Sequence, residues 1–202
     1  MKKTLLSLIL LLAVSAVSPA MPLKARVVKI HGQVHLNHRW LKLNDEIELN
    51  ENDTLTAFSR SQLRLEIKDL CQLWIKDSSQ LVIQNLDFQL RLGMMRLLVP
   101  KQTGREEKSF RISAGQLMTS VMQGSSRRDV ALRIQQDTTL IAVYEGDSLS
   151  VTRRNRGEKA MEYMNIPQFR GMAWVVDQVK ESFELAGSVL NPVVWGRDLE
   201  HG

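Results

Sequence analysis

Between Arg26 and Val151 hydrophobic side chains recur at every second position in short runs. The clearest are Leu63-x-Leu65-x-Ile67, Leu73-x-Ile75, Leu81-x-Ile83, Leu90-x-Leu92, Phe110-x-Ile112 and Val130-x-Leu132-x-Ile134. In an extended chain a period of two places these residues on one face and the interleaved Arg64, Glu66, Arg91, Arg111 and Arg133 on the other. This pattern predicts strands with one buried and one wet side. A helix would need apolar residues three or four apart, and that spacing is missing for more than a hundred residues.

Turn-forming clusters punctuate the runs at Asn50-Glu51-Asn52-Asp53, Lys76-Asp77-Ser78-Ser79, Gln102-Thr103-Gly104 and Glu145-Gly146-Asp147. The class is therefore all-β, a single β-rich domain. A sandwich, a closed barrel and a solenoid of stacked short strands all fit the spacing, and the spacing does not choose among them. After Val151 the texture changes. A basic run, Arg153-Arg154-x-Arg156, precedes a stretch from Phe169 to Leu185 in which Trp174, Val175, Gln178, Val179 and Phe183 approach helical spacing. The expectation is a C-terminal extension over residues 152–202, with a short helical tail around 172–185 that packs on the β body.

The first twenty residues predict a different fate. Lys2 and Lys3 precede an apolar run from Leu5 to Val17, and Ser18-Pro19-Ala20 supplies small residues where a signal peptidase reads. About 13 apolar residues are too few for a roughly 30 Å hydrocarbon core, which favours a cleaved signal peptide over residues 1–20 rather than a membrane anchor. The expected location is the periplasm of a Gram-negative bacterium. The single cysteine, Cys71, is far from the cleavage point, so no N-terminal lipoprotein is expected. One cysteine also cannot make an internal disulfide. No later segment is long and apolar enough to read as a transmembrane helix.

Loss of residues 1–20 removes two lysines and no acid, leaving 25 basic against 22 acidic side chains, a net charge of +3. Export separates so modest a charge from nucleic acid, and no nucleic-acid partner is expected. Anionic lipid or a wall polymer is permitted.

A series of landmarks runs across residues 26–151. It opens with Val27, Gly32 and Val34, then Leu43-Asn44-Asp45-Glu46-Ile47 and Asn52-Asp53-Thr54-Leu55-Thr56. Ser59-Arg60-Ser61 follows, then Asp69, Leu92-Gly93, and Arg96 to Val99. The last stretch comprises Phe110-Arg111-Ile112, Met118 to Gly124-Ser125, Thr139 to Val143, Glu145-Gly146-Asp147 and Leu149 to Val151. In this order the landmarks resemble the FecR-type periplasmic domain. Asn44 and Leu70 stand where that family usually has glycine, and Ser125 where it has threonine. The resemblance implies a solenoid-like or sandwich-like body acting in protein–protein signalling or scaffolding in the cell envelope, with another envelope protein as partner. The alternative from a different class is a module that binds wall glycan or lipid.

Candidate chemistry is sparse. His31, His35 and His38 form a cluster in which His31 and His35 would share a strand face, but no acid or cysteine is interleaved, so a wet strand edge is preferred to a metal site. Met118 with Met122, and Met161 with Met164, read as core fillers rather than ligands for cuprous ion. Cys71 reads as a small buried hydrophobe. No nucleophile elbow or carboxylate pair stands out, so neither an enzyme nor a cofactor is expected. Arg127, Arg128, Arg153, Arg154 and Arg156 could form a patch for phosphate or other anionic groups, since guanidinium pairs with phosphate through two parallel hydrogen bonds.

Overall fold

A computed structural model describes residues 22–102, 108–115, 117–136, 138–146, 149–154, 161–166, 172–177 and 182–189. All regular structure among these is strand. The N-terminal half contains β1 (Leu23–His31), β2 (Val34–Leu36), β3 (Arg39–Trp40), β4 (Glu46–Leu49), β5 (Thr54–Ala57), β6 (Gln62–Ile67) and the two long strands β7 (Cys71–Gln84) and β8 (Asp87–Val99). The chain continues through β9 (Ser109–Ala114), β10 (Leu117–Met122), β11 (Arg128–Gln135), β12 (Thr138–Glu145), β13 (Leu149–Arg154), β14 (Met161–Ile166), β15 (Met172–Asp177) and β16 (Ser182–Val189).

Two layers emerge from the pairings. The first half of β7 pairs with β6 and with the second half of β8, whereas the second half of β7 pairs with β5 and with the first half of β8. Following neighbours outward, the first layer runs β4-β1-β6-β7-β8-β11-β12-β15-β16. The second runs β3-β2-β5-β7-β8-β9-β10-β13-β14. Beyond β8 the chain adds antiparallel hairpins to the layers in turn: β9–β10 to the second, β11–β12 to the first, β13–β14 to the second and β15–β16 to the first. The arrangement is an open, two-layer body that grows sideways from hairpin to hairpin, and it does not close into a barrel.

The layers share one hydrophobic core. Alternate residues of the first layer (Val27, Leu65, Leu73, Ile75, Leu97, Leu132, Ile141) meet alternate residues of the second (Leu55, Leu81, Ile83, Phe88, Phe110, Ile112, Val121) in a single cluster. Phe88 and Phe110 stack at 6.2 Å across the parallel β8–β9 pair. Period-two alternation therefore does what it predicts, and Cys71 is buried in this core.

Several expectations change. Lys76 to Ser79 does not separate two strands. It bends β7 from one layer into the other, with Asp77 and Ser78 at positive φ, and similar bends fall at Gly32 between β1 and β2 and at Gly93 within β8. The helical tail around 172–185 is replaced by strands β15 and β16, and pairing carries the sheet past Val151. The edge of β12 explains this, because its backbone donors and acceptors are satisfied by an antiparallel neighbour, whereas a helix would leave them unpaired. Met118 and Met122 are not core fillers: the inward positions of β10 are Leu117, Thr119 and Val121, and Met122 is exposed. Asn44 itself adopts φ 65°, and at 69–70 the left-handed residue is Asp69 (φ 57°) rather than Leu70, so the turns form without glycine. Residues 1–20, Thr103, Gly104, Asp147 and Arg156 lie outside the described residues.

Candidate functional site

One end of the body carries an exposed aromatic patch on a tied-down backbone. The β2–β3 hairpin turns at Asn37 (φ 56°), whose side chain donates to Asp53 Oδ1 (2.8 Å) and accepts from the Thr54 amide (2.9 Å). Asp53 in turn accepts from the Asn50 amide. These bonds lock the hairpin to the turn before β5. Trp40, directly across from His35 in the register, projects from the outer face of this edge hairpin. Phe58 is fixed on the neighbouring bend: its amide donates to the Gln33 carbonyl, and its carbonyl accepts from the Ser61 and Ser78 amides.

The three rings meet. His35 packs edge-on against Trp40 and, at 5.2 Å between centroids, against Phe58, while Trp40 and Phe58 lie 6.0 Å apart at 37°. Trp40 (49%) and Phe58 (41%) keep nearly half their surface in solvent, and Leu43 (55%) after β3 keeps more than half. Large exposed apolar side chains held on a rigid backbone can bury against a partner without paying for their own ordering.

The outer face of the first layer holds a second cluster, outside the main core. Arg64, Trp74 and Arg96 are cross-strand neighbours on β6, β7 and β8. Both guanidinium groups lie over the Trp74 ring, at 5.0 and 5.6 Å, and Arg96 also lies 5.2 Å from the Tyr144 ring. Arg96 closes on Asp129 with two hydrogen bonds of 2.7 and 2.6 Å, and both partners are buried. Desolvation pushes the Tyr144 hydroxyl well above the usual phenol range, with Arg96 opposing and Asp129 adding to the shift. Trp74, Leu98 and Met94 pack together here. The Arg96 and Asp129 charges are paired, while Arg64 Nε and Trp74 Nε1 are buried without a hydrogen-bond partner.

The residues singled out by sequence scatter. Bending at Gly32 puts His31 in the first layer, opposite Gln62, and His35 in the second, so they do not share a strand face. Among the described residues no three metal-ligating side chains converge. Arg127 pairs with Glu145 at 3.2 Å, and Arg128 opens β11 opposite Val99 at the end of the first layer far from the bends. Arg153 and Arg154 belong to the second layer, where Arg153 lies opposite Leu117 at the end near the bends. The two arginine pairs thus occupy different layers and opposite strand ends. Sequence reading passed over Trp40, Phe58, Trp74 and Asp129, and took Arg96 only as a landmark of the resemblance. The signal was present as apolar or aromatic residues at outward positions, such as Trp74 between Leu73 and Ile75 and Leu98 between Leu97 and Val99.

No family model matches the chain, and no curated protein matches it. Among solved structures, two crystal structures of a candidate anti-sigma factor from Parabacteroides distasonis ATCC 8503 are similar, each at 10% identity with a TM-score of 0.49. The overlap covers 69% and 70% of this chain and 61% and 63% of those chains, so the chain matches less than two thirds of their length.

Proposed function

We propose that this chain is an exported, non-enzymatic interaction module of the FecR type that recruits another protein in the bacterial cell envelope. One observation carries the reading: the layers are open. Among the described residues β3 and β4 at one end, and β14 and β16 at the other, each pair on one side only. An edge strand presents backbone donors and acceptors that an extended partner segment can satisfy, while alternate side chains supply selectivity. The exposed rings beside β3 add apolar area where such a segment would lie.

Export and the non-enzymatic reading enter from the sequence, through the leader-like residues 1–20 and the lack of a nucleophile elbow or paired carboxylates. Crosslinking in intact cells followed by mass spectrometry tests the proposal. A reproducible protein adduct is expected. Recovery of wall glycan or lipid alone overturns it in favour of a glycan- or lipid-binding module.

A further inference from the structure

The outer face of the first layer holds hydrogen-bond donors that the fold leaves unused. One row crosses it through Lys29, Arg64, Trp74 and Arg96, on β1, β6, β7 and β8. Their strand neighbours Leu63, Leu65, Leu73 and Ile75 belong to the core, so the four side chains of the row share the outer side. Trp74 is only 4% exposed, yet its indole Nε1 has no acceptor. The Arg64 guanidinium lies 5.0 Å from the Trp74 ring centre, and its Nε is also buried and unpaired. A buried donor without an acceptor is costly, and two on adjacent side chains mark a place where an acceptor belongs.

The charge here points the same way. Lys29 and Arg64 make no ion pair among the described residues. Arg64 Nη2 donates to Gln72 Oε1 at 2.8 Å, a neutral acceptor that leaves the charge uncompensated. The nearest acids on this face are engaged: Glu66 closes on Arg26 at 3.2 Å, and Asp129 holds Arg96 through two hydrogen bonds. Glu46 and Glu48 lie farther out, on β4 beyond Arg26 and Lys24. The next row toward the bend is His31, Gln62, Lys76 and Met94, which holds no acid, and exposed Asp77 follows on the bend itself.

We propose that Lys29, Arg64 and Trp74 form a binding site for a phosphate group. One oxygen accepts from Arg64 Nε and Trp74 Nε1 once the guanidinium tilts off the indole, and Lys29 Nζ binds a second. With Nη2 given to Gln72, the planar two-bond grip that suits a carboxylate is weakened, whereas donors from three side chains suit the diverging oxygens of a tetrahedral anion. The site lies on the face of the sheet and not at its edges. It is therefore separate from the interaction-module reading, and failure of either leaves the other standing.

Isothermal titration calorimetry of the intact chain with inorganic phosphate, at fixed ionic strength, tests the site. Saturable binding is expected, with acetate much weaker. Arg64→Gln and Trp74→Phe should each weaken phosphate about tenfold, as loss of a hydrogen bond to a charged group does, and Lys29→Gln should weaken it as well. Arg111→Gln, on the outer face of the second layer, is the control and should leave binding unchanged. Far-UV circular dichroism checks that each variant folds, and Lys29, part-exposed, carries the test if Arg64→Gln does not fold.

Vesicles identify the source of the phosphate. Sedimentation with phosphatidic acid vesicles but not with phosphatidylcholine vesicles, lost in Lys29→Gln and Arg64→Gln, makes it a lipid headgroup. Phosphate binding without sedimentation makes it a soluble phosphate. No saturable phosphate binding, equal affinity for acetate, or a loss in Arg111→Gln as large as in Lys29→Gln and Arg64→Gln overturns the assignment.

Discussion

Ser79 and Gly93 interlock where β7 and β8 bend side by side. Ser79 Oγ donates to the Lys76 carbonyl within its own strand and accepts the Met94 amide at 2.8 Å, and a β-carbon at position 93 would lie 2.5 Å from the Ser79 Cα. The same device recurs one bend away. The Gln33 amide donates to Ser61 Oγ at 2.8 Å, and a β-carbon at Gly32 would lie 3.0 Å from the Ser61 Cα. In each case a glycine at positive φ (82° and 70°) admits a serine from the adjacent chain segment, and the serine pairs the amide that follows the glycine.

Gly93→Ala should therefore cost about 2–4 kcal/mol, combining left-handed strain with a backbone clash that cannot relax by moving a side-chain tip. Ser79→Ala should cost about 1–3 kcal/mol, because the part-buried Met94 amide loses its partner. Urea unfolding of the two variants checks both values.

Breaking the Arg96–Asp129 pair should be more damaging than removing it whole. With both side chains buried, Arg96→Met or Asp129→Ala leaves a buried charge without the ion partner it has in the fold, at about 3–5 kcal/mol. Arg96→Met combined with Asp129→Leu should recover most of that loss. A double-mutant cycle measured by urea unfolding is the test, and strictly additive losses would contradict the coupling.

Burial pushes the Cys71 thiol well above its usual range, and desolvation does the same to Tyr144. Both groups are neutral in the fold, so folding favours the protonated form. The unfolded chain ionises Cys71 from about pH 8.5 and Tyr144 from about pH 10, and stability falls as pH rises through those values. The slope is about 1.4 kcal/mol per pH unit for each ionised group. Cys71→Ala should lower stability at pH 7 through the cavity it leaves, yet flatten the decline between about pH 8.5 and 10. Unfolding curves collected across that range compare the slopes.

Asn44 and Asp69 hold left-handed turns without glycine. Asn44→Gly and Asp69→Gly should shift stability by no more than about 1 kcal/mol, since glycine adopts that backbone without a steric cost. Asn44→Val should destabilise by about 1–2 kcal/mol, because a β-branched side chain resists positive φ. Thermal midpoints of the three variants order the effects.

Part of the aromatic patch was within reach of the sequence, because the histidine cluster that contains His35 was read as a strand edge. Trp40 and Phe58 went unnoticed because a lone aromatic outside an alternating run has no local signature. Their meeting needs β2, β3 and the bend after β5 to be neighbours, and pairings such as His35 with Thr56 are long-range.

Local alternation was enough to specify strands, their buried faces and the core around Leu65, Leu73, Leu97 and Ile112, because a strand's two faces are set by its own covalent geometry. Tertiary structure decided what alternation is blind to. It made Lys76 to Ser79 a passage between layers, split His31 from His35 at Gly32, and drew Met172–Asp177 and Ser182–Val189 into strands against an edge that had unpaired backbone groups. The physical reason is the same each time: which strand lies beside which depends on closing distant loops and satisfying sheet edges, and neither leaves a trace in a short window of residues.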